Sequence, residues 1–204
     1  MSDQEQVTIV YVHPWTGSFT HAELESVKQT LDAKNQPYSV IDLYADDFDP
    51  IMRANDLSVY GNGDFKDPMV GRYIETIQKT NKLILMFPIW WLSAPAMLKG
   101  FFDKVFLANH IINFVDKEPV SHTAVNSAMV LSTSELTNDE MFKGYDGSVE
   151  RIINFPLESI GAKQVTWHNM GDIIVAKRPA LEAYLKQIPE FVNAFVDDGV
   201  MEEA

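Results

Sequence analysis

Three short stretches of the chain bring together residue types that can hold a ligand. The first is HPWTGSFTHAE, residues 13–23. Gly17, Ser18 and Thr20 can let backbone N–H groups and hydroxyls surround a phosphate at a helix N-terminus. Neither GxxxxGK[ST] nor GxGxxG occurs, and the same residues equally suit a plain capped helix with Ser18 or Thr20 at the N-cap. The second stretch is FPIWWLSAPAMLKGFFDKVF, residues 87–106. Pro88 ends an apolar run, and Ile89, Trp90, Trp91 and Leu92 form the turn that follows. Such a turn leaves N–H groups that a flat heteroaromatic ring with rim acceptors can take, and either tryptophan can serve as an aromatic wall. Read without its neighbours, the pair fits core or interface packing first. The third stretch is LSTSELTNDEMFKGYDG, residues 131–147. Hydroxyls and backbone at Ser132, Thr133, Ser134 and Glu135 can meet a ring edge. Alone, the segment reads rather as a solvated acidic loop.

Composition narrows the chemistry. The chain has 204 residues, no cysteine and a formal net charge of −13. The missing cysteines exclude thiolate metal sites, cysteine nucleophiles and iron–sulfur clusters. The acidic charge argues against nucleic acid and anionic membrane as partners. His13, His21, His110, His122 and His168 are scattered, and none belongs to HExxH or another ligand spacing, so no metal site is expected. The first six residues are polar and acidic rather than basic and then apolar, which speaks against a signal peptide. The longest apolar stretch, residues 83–98, is interrupted by Pro88, Ser93 and Pro95 and is too short and broken to span a bilayer. A soluble, cytoplasmic protein is expected.

The elements that must position these stretches alternate. Short β-branched or apolar runs at residues 7–12, 38–43, 83–87, 124–131 and 163–168 read as five strands. Helical spacing covers residues 20–33, carrying Leu24, Val27 and Leu31, and the segment carrying Val70, Tyr73, Ile74 and Ile77. A helix over residues 94–107 is expected with Ser93 as N-cap and Pro95 in its first turn. Val149, Ile152, Ile153 and Leu157 predict a helix bent or broken at Pro156, and residues 180–196 a last helix kinked at Pro189. The alternation predicts one domain over residues 1–204, an α/β doubly wound five-stranded parallel sheet with helices on both faces. In such a fold ligands bind beyond the carboxyl ends of the strands, where the three stretches fall.

HPWTGSFTHA, DPMVGRYIETIQKTNKLILMFPIWWLSAPAMLKGFFDKVF from Asp67 and LSTSE from Leu131 together resemble the flavodoxin-like NAD(P)H dehydrogenase (quinone) family. That family includes quinone reductases, modulator-of-drug-activity-type reductases and ancillary oxidoreductases of potassium efflux systems. The resemblance runs in consistent order over residues 7–171. It implies a bound flavin, FMN in preference to FAD. His13, Ser18, Phe19 and Thr20 match the segment at the flavin phosphate. Pro88, Ile89, Trp90, Trp91 and Leu92 match the segment whose backbone lines the isoalloxazine ring, and Ser132, Thr133, Ser134 and Glu135 match the loop on its other edge. Tyr145 lies in the region of the family's hydride-transfer tyrosine.

The implied activity passes two electrons from NADH or NADPH, by a ping-pong route in one slot, to a quinone, nitroaromatic or azo acceptor. No arginine cluster for a 2′-phosphate is evident, which leans toward NADH. The alternatives are a flavodoxin-type electron carrier, which the acidic charge suits, and a redox-sensing subunit of a transporter. Family members are generally dimers, and the aromatics Trp90, Trp91, Phe101, Phe102 and Phe106 exceed one small core, so a homodimer is expected. One departure stands out. Many quinone reductases of the family carry Thr-Gly-Gly after strand four, where this chain has Ser134, Glu135 and Leu136. A carboxylate there, if turned inward, disfavours an anionic reduced ring. Lys99 and Asp103, four apart on one helix, read as a structural pair.

Overall fold

The computed structural model describes residues 5–197. The first four residues, part of the segment on which the expectation of no signal peptide rests, lie outside the described residues.

Five parallel strands form the central sheet in the order β2-β1-β3-β6-β7. They are β1 (Val7–Tyr11), β2 (Tyr38–Asp42), β3 (Lys82–Pro88), β6 (Ser127–Thr133) and β7 (Gln164–Met170). β1 and β3 are buried along their whole length, as an inner parallel strand covered on both faces must be. Alternation along each strand divides the side chains between two cores. Val10, Leu83, Leu85, Phe87, Ala128 and Val130 face α3 (Pro68–Gln78), α4 (Ala96–Val105) and α6 (Ser148–Ser159). Ile9, Tyr11, Ile84, Met86, Met129 and Leu131 face α1 (Phe19–Ala33), α7 (Arg178–Leu185) and α8 (Ile188–Asp197). Strand order reverses between β1 and β3. The connections leaving their carboxyl ends therefore run to opposite faces, to α1 on one and to α4 on the other.

Several element ends differ from the sequence reading, each for a local reason. α4 starts at Ala96 behind Pro95, with no side-chain cap. Ser93 instead pairs with Trp90 in an isolated bridge. A residue before proline is pushed out of the helical region, which delays the start of the helix. α6 runs unbroken through Pro156, held by its buried face of Val149, Ile153 and Leu157. The last helix is two: α7 ends at Leu185, and Pro189 lies in the first turn of α8, where its missing N–H is harmless. Two short helices and a hairpin were not foreseen. α2 (Ala54–Tyr60) and α5 (Asn138–Lys143) are short, and β4 (Ile112–Val115) and β5 (Glu118–Ser121) form an antiparallel hairpin. Its two-residue turn, Asp116 and Lys117, has both φ angles positive without a glycine to announce it.

Phe101 is buried, and its ring contacts those of Phe48, Tyr73, Phe102 and Phe106. These phenylalanines are therefore used within the chain's own core. Of the aromatics counted toward a dimer, Trp90 and Trp91 are the ones left outside it. The Lys99–Asp103 ion pair forms on the outer face of α4. No helix of the described residues is long and apolar enough to cross a membrane.

Candidate active site

The turn after β3 holds two bulky residues in the left-handed region. Trp90 N–H donates to the Ser93 carbonyl at 2.9 Å and Ser93 N–H returns to Trp90 at 3.1 Å. Between them Trp91 and Leu92 have φ angles of 53° and 58°. Such a two-residue turn favours Gly or Asn, because a Cβ crowds the backbone in this region. Each bulky residue there costs about 1–2 kcal/mol. The turn presents Trp91 with 100% of its surface exposed and Trp90 with 43%. It also leaves the Trp91 and Leu92 N–H groups without a partner among the described residues. The Ile89 N–H is already used, donating to the Thr133 carbonyl at 2.7 Å. Pro88, buried, ends the strand in register with Thr133.

Opposite stands the loop after β6. Ser132 and Ser134 do not offer their hydroxyls to the cleft. Ser132 Oγ donates to Asn169 Oδ1 at 2.8 Å, and Ser134 Oγ donates to the Leu136 carbonyl at 2.8 Å. Asn169, buried on β7, donates in turn to Ser134 Oγ at 2.9 Å and to Asn138 Oδ1 at 2.8 Å. Gly171 closes the same fastening, since a Cβ there would stand 2.7 Å from the Leu136 carbonyl. What the loop turns outward is the exposed Glu135 side chain and the N–H groups of Glu135 and Leu136, which have no partner among the described residues.

Residues 89–92, Ser134, Glu135, Leu136 and Tyr145 line one cleft of about 660 Å³. The second and third sequence stretches thus meet, as their positions at adjacent strand ends required. Tyr145 enters from a 3₁₀ turn (Gly144–Gly147) in which Tyr145, Asp146 and Gly147 all have positive φ. That run swings its exposed ring to the cleft wall.

The first stretch adjoins this cleft without lining it. The His13 ring lies edge-on to Trp90 with centroids 6.4 Å apart. Its Nδ1 accepts the Trp15 N–H at 3.1 Å, and burial holds its pKa below the ordinary histidine value. Ser18 is the N-cap of α1, taking the His21 N–H at 3.1 Å. Thr20 is buried with its Oγ1 3.5 Å from Thr133 Oγ1. The Phe19 ring packs toward Tyr184 on α7, with centroids 6.1 Å apart, so only its backbone faces the loop. The N–H groups of Thr16, Gly17, Phe19 and Thr20 have no partner among the described residues. They gather at the positive end of α1, where an anion is favoured. The exposed Trp15 ring lies over Gly17; a Cβ there would be 2.3 Å from that ring and would have to displace it.

Sequence reading missed Trp15, Asn169 and Gly171, and named Leu136 only as a departure from the family's Thr-Gly-Gly. Trp15 had a signal, a large aromatic in a short polar loop. Asn169 had a fainter one, an amide near the end of a strand. Leu136 and Gly171 had none, because their role is a backbone carbonyl and a close approach to it.

A five-stranded parallel sheet in the order β2-β1-β3-β6-β7 with helices on both faces is the flavodoxin-like fold. The chain belongs to the family described as having a flavodoxin-like fold, whose model matches residues 5–192. It is 30% identical over 184 residues to NAD(P)H dehydrogenase [quinone] 1 of Cavia porcellus, an alignment covering 78% of this chain and 64% of that protein. The chain spans less than two thirds of the length of the first curated relatives it matches. Among structures, NAD(P)H:quinone oxidoreductase from Methanothermobacter marburgensis superposes with a TM-score of 0.82 at 23% identity, covering 93% of this chain and 98% of that one. An FMN-dependent NADH-azoreductase from Bacillus anthracis, in complex with FMN, gives a TM-score of 0.74 at 18% identity, over 95% of this chain and 100% of that one. At these identities the structural likeness is one of fold.

Proposed function

We propose that the protein is a flavin-dependent NAD(P)H oxidoreductase that passes two electrons to a small quinone, nitroaromatic or azo acceptor. The observation that carries this reading is the pair of open backbone edges across one cleft. The Trp91 and Leu92 N–H groups lie on one side, and those of Glu135 and Leu136 on the other. A flat ring with carbonyl and nitrogen acceptors matches that arrangement. The cleft volume of about 660 Å³ suits a ring together with a second planar molecule. The names of the guinea-pig relative and of the azoreductase neighbour support the same chemistry.

The residues present fit FMN. Unpartnered N–H groups at the start of α1, with the Ser18 and Thr20 segment around them, would hold its phosphate. His13 borders that site in its neutral form. The turn at residues 88–92 would receive one edge of the ring and the backbone of residues 132–135 the other. A bound flavin supplies hydride transfer, taking two electrons from a nicotinamide and giving them to an acceptor. The chain contributes position and exclusion of water. Trp90 and Trp91 wall the slot, and a planar donor and a planar acceptor occupy it in turn, a ping-pong order. The exposed Tyr145 phenol lies at the cleft wall, where it can give its proton to an acceptor oxygen as the hydride arrives and take one back from solvent.

NADH is the favoured donor, since the lining has no arginine for a 2′-phosphate. The exposed Trp91 and Trp90 faces suit closure by a second copy, so a homodimer is part of the reading, as are one functional domain and a cytoplasmic location. The test is the visible absorption spectrum of the purified protein, saturated with FMN and separately with FAD, then titrated with NADH and NADPH. Tight FMN binding with bleaching by NADH is expected. A flavin that binds but is not bleached points to an electron carrier or a redox sensor. No flavin uptake overturns the reading.

A further inference from the structure

We propose that Glu135 makes this cleft select acceptors by charge, taking uncharged and cationic planar aromatics in preference to anionic ones. This rests on the cleft being the acceptor site of the proposed reaction.

The cleft lining contains one ionisable carboxylate and no lysine or arginine. The carboxylate is Glu135, exposed and with no ion pair or hydrogen bond to its side chain among the described residues. The cations nearest in sequence are committed elsewhere. Lys143 pairs with Asp139 at 2.8 Å, and Arg151 donates to the Asp146 carbonyl at 2.6 Å. The neighbouring His13 is held neutral at pH 7, because burial lowers its pKa. Apart from Ser134, the remaining walls are apolar or aromatic, Trp90, Trp91 and Tyr145 among them, a low-dielectric surface that screens a field less than water does. An unneutralised negative charge beside such walls repels an anionic substituent on anything stacked in the slot. An exposed charge several ångströms from its target changes affinity by about three- to tenfold at low salt. The effect should shrink as the Debye length falls from about 10 Å at 0.1 M to about 3 Å at 1 M. Fastening through Asn169 and Gly171 keeps residues 134–136 in place, so the charge does not swing away with a mobile loop.

The test uses FMN-loaded protein, wild type and Glu135→Gln, and three naphthoquinones of similar size. Menadione is uncharged, 1,4-naphthoquinone-2-sulfonate is anionic, and a 2-trimethylammoniomethyl analogue is cationic. Dissociation constants for the oxidised protein are measured by calorimetry at low and at high salt. In the wild type the sulfonate should bind more weakly than menadione. In Glu135→Gln the sulfonate-to-menadione ratio should fall about three- to tenfold, the cation-to-menadione ratio should rise, and both changes should fade at high salt. Ratios that do not move with the substitution overturn the role of Glu135 and leave the acceptor-site reading standing. Failure of all three compounds to bind the wild type overturns that reading, and this proposal with it.

Discussion

The two faces of the sheet each bury a polar side chain near the strand ends, and the two are treated in opposite ways. On the face covered by α3, α4 and α6, Asn169 takes a hydrogen bond from Ser132 and gives two, to Ser134 and Asn138. On the face covered by α1, α7 and α8, Glu23 is fully buried and neither carboxyl oxygen has a partner. Around it the Tyr11 hydroxyl, His21 Nδ1 and the Tyr184 hydroxyl are also unpartnered, although Tyr11 lies near Ser18. Burial pushes the Glu23 carboxyl well above the ordinary carboxylate range, so it is kept uncharged. Desolvation likewise raises Tyr11 and Tyr184. The difference teaches what each polar group is for. A satisfied network fixes a loop in one position, whereas an orphaned carboxyl holds nothing and weakens the fold that buries it. The satisfied one stands beneath the cleft.

Breaking the satisfied side should have the largest effect. Asn169→Leu removes three hydrogen bonds and strands the Ser132 hydroxyl, which should cost about 3 kcal/mol in urea denaturation. For a chain of this size that lowers Tm by roughly 6–12 °C. Flavin affinity should fall with it, since residues 134–136 lose their anchor.

Repairing the orphaned side should do the reverse. Glu23→Met should stabilise by about 1–3 kcal/mol at pH 8, measured by the same denaturation. The gain should shrink toward pH 5. The folded state keeps the Glu23 proton and the unfolded chain releases it near 4.5, so unfolding releases a proton above that pH. The stability that goes with the bound proton is fully present below the unfolded pKa and is lost as pH rises toward the raised folded one. A gain equal at pH 5 and pH 8 would show that Glu23 is not held uncharged.

Ser132→Ala sharpens the comparison at a single bond. It removes one donor to Asn169 and should cost about 1 kcal/mol. The smallest effect is expected of Tyr184→Phe. Its hydroxyl is buried with no partner, so deleting it should change stability by no more than about 0.5 kcal/mol, or raise it slightly. A loss as large as that of Ser132→Ala would mean that the Tyr184 hydroxyl is satisfied in solution.

How much was legible beforehand differs between the two sides. The polar hub was not legible, because Asn169 lies 35 residues from Ser134 and only β6–β7 pairing brings them together. Glu23 was hidden by its type: a glutamate early in a helix reads as an exposed, dipole-friendly residue, and only tertiary packing buries it. The hairpin at residues 112–121 went unread because its turn, Asp116 and Lys117, lacks glycine and its strands are four residues each.

The alternation of the five sheet strands with their main helices, the two-faced burial of the sheet and the placing of the three stretches at strand ends followed from the sequence alone. Hydrophobic periodicity and the segments after strands are local, and a doubly wound fold has one rule for where such segments collect. Tertiary structure decided which atoms of those stretches face the cleft. The serine hydroxyls turn inward to Asn169, the Phe19 ring turns toward α7, and Trp91 and Leu92 take left-handed backbone angles that turn their N–H groups outward. The first two outcomes depend on hydrogen bonds and packing between segments far apart in the chain; the third is closed by the local Trp90–Ser93 pair, which bulky residues at 91 and 92 do not announce.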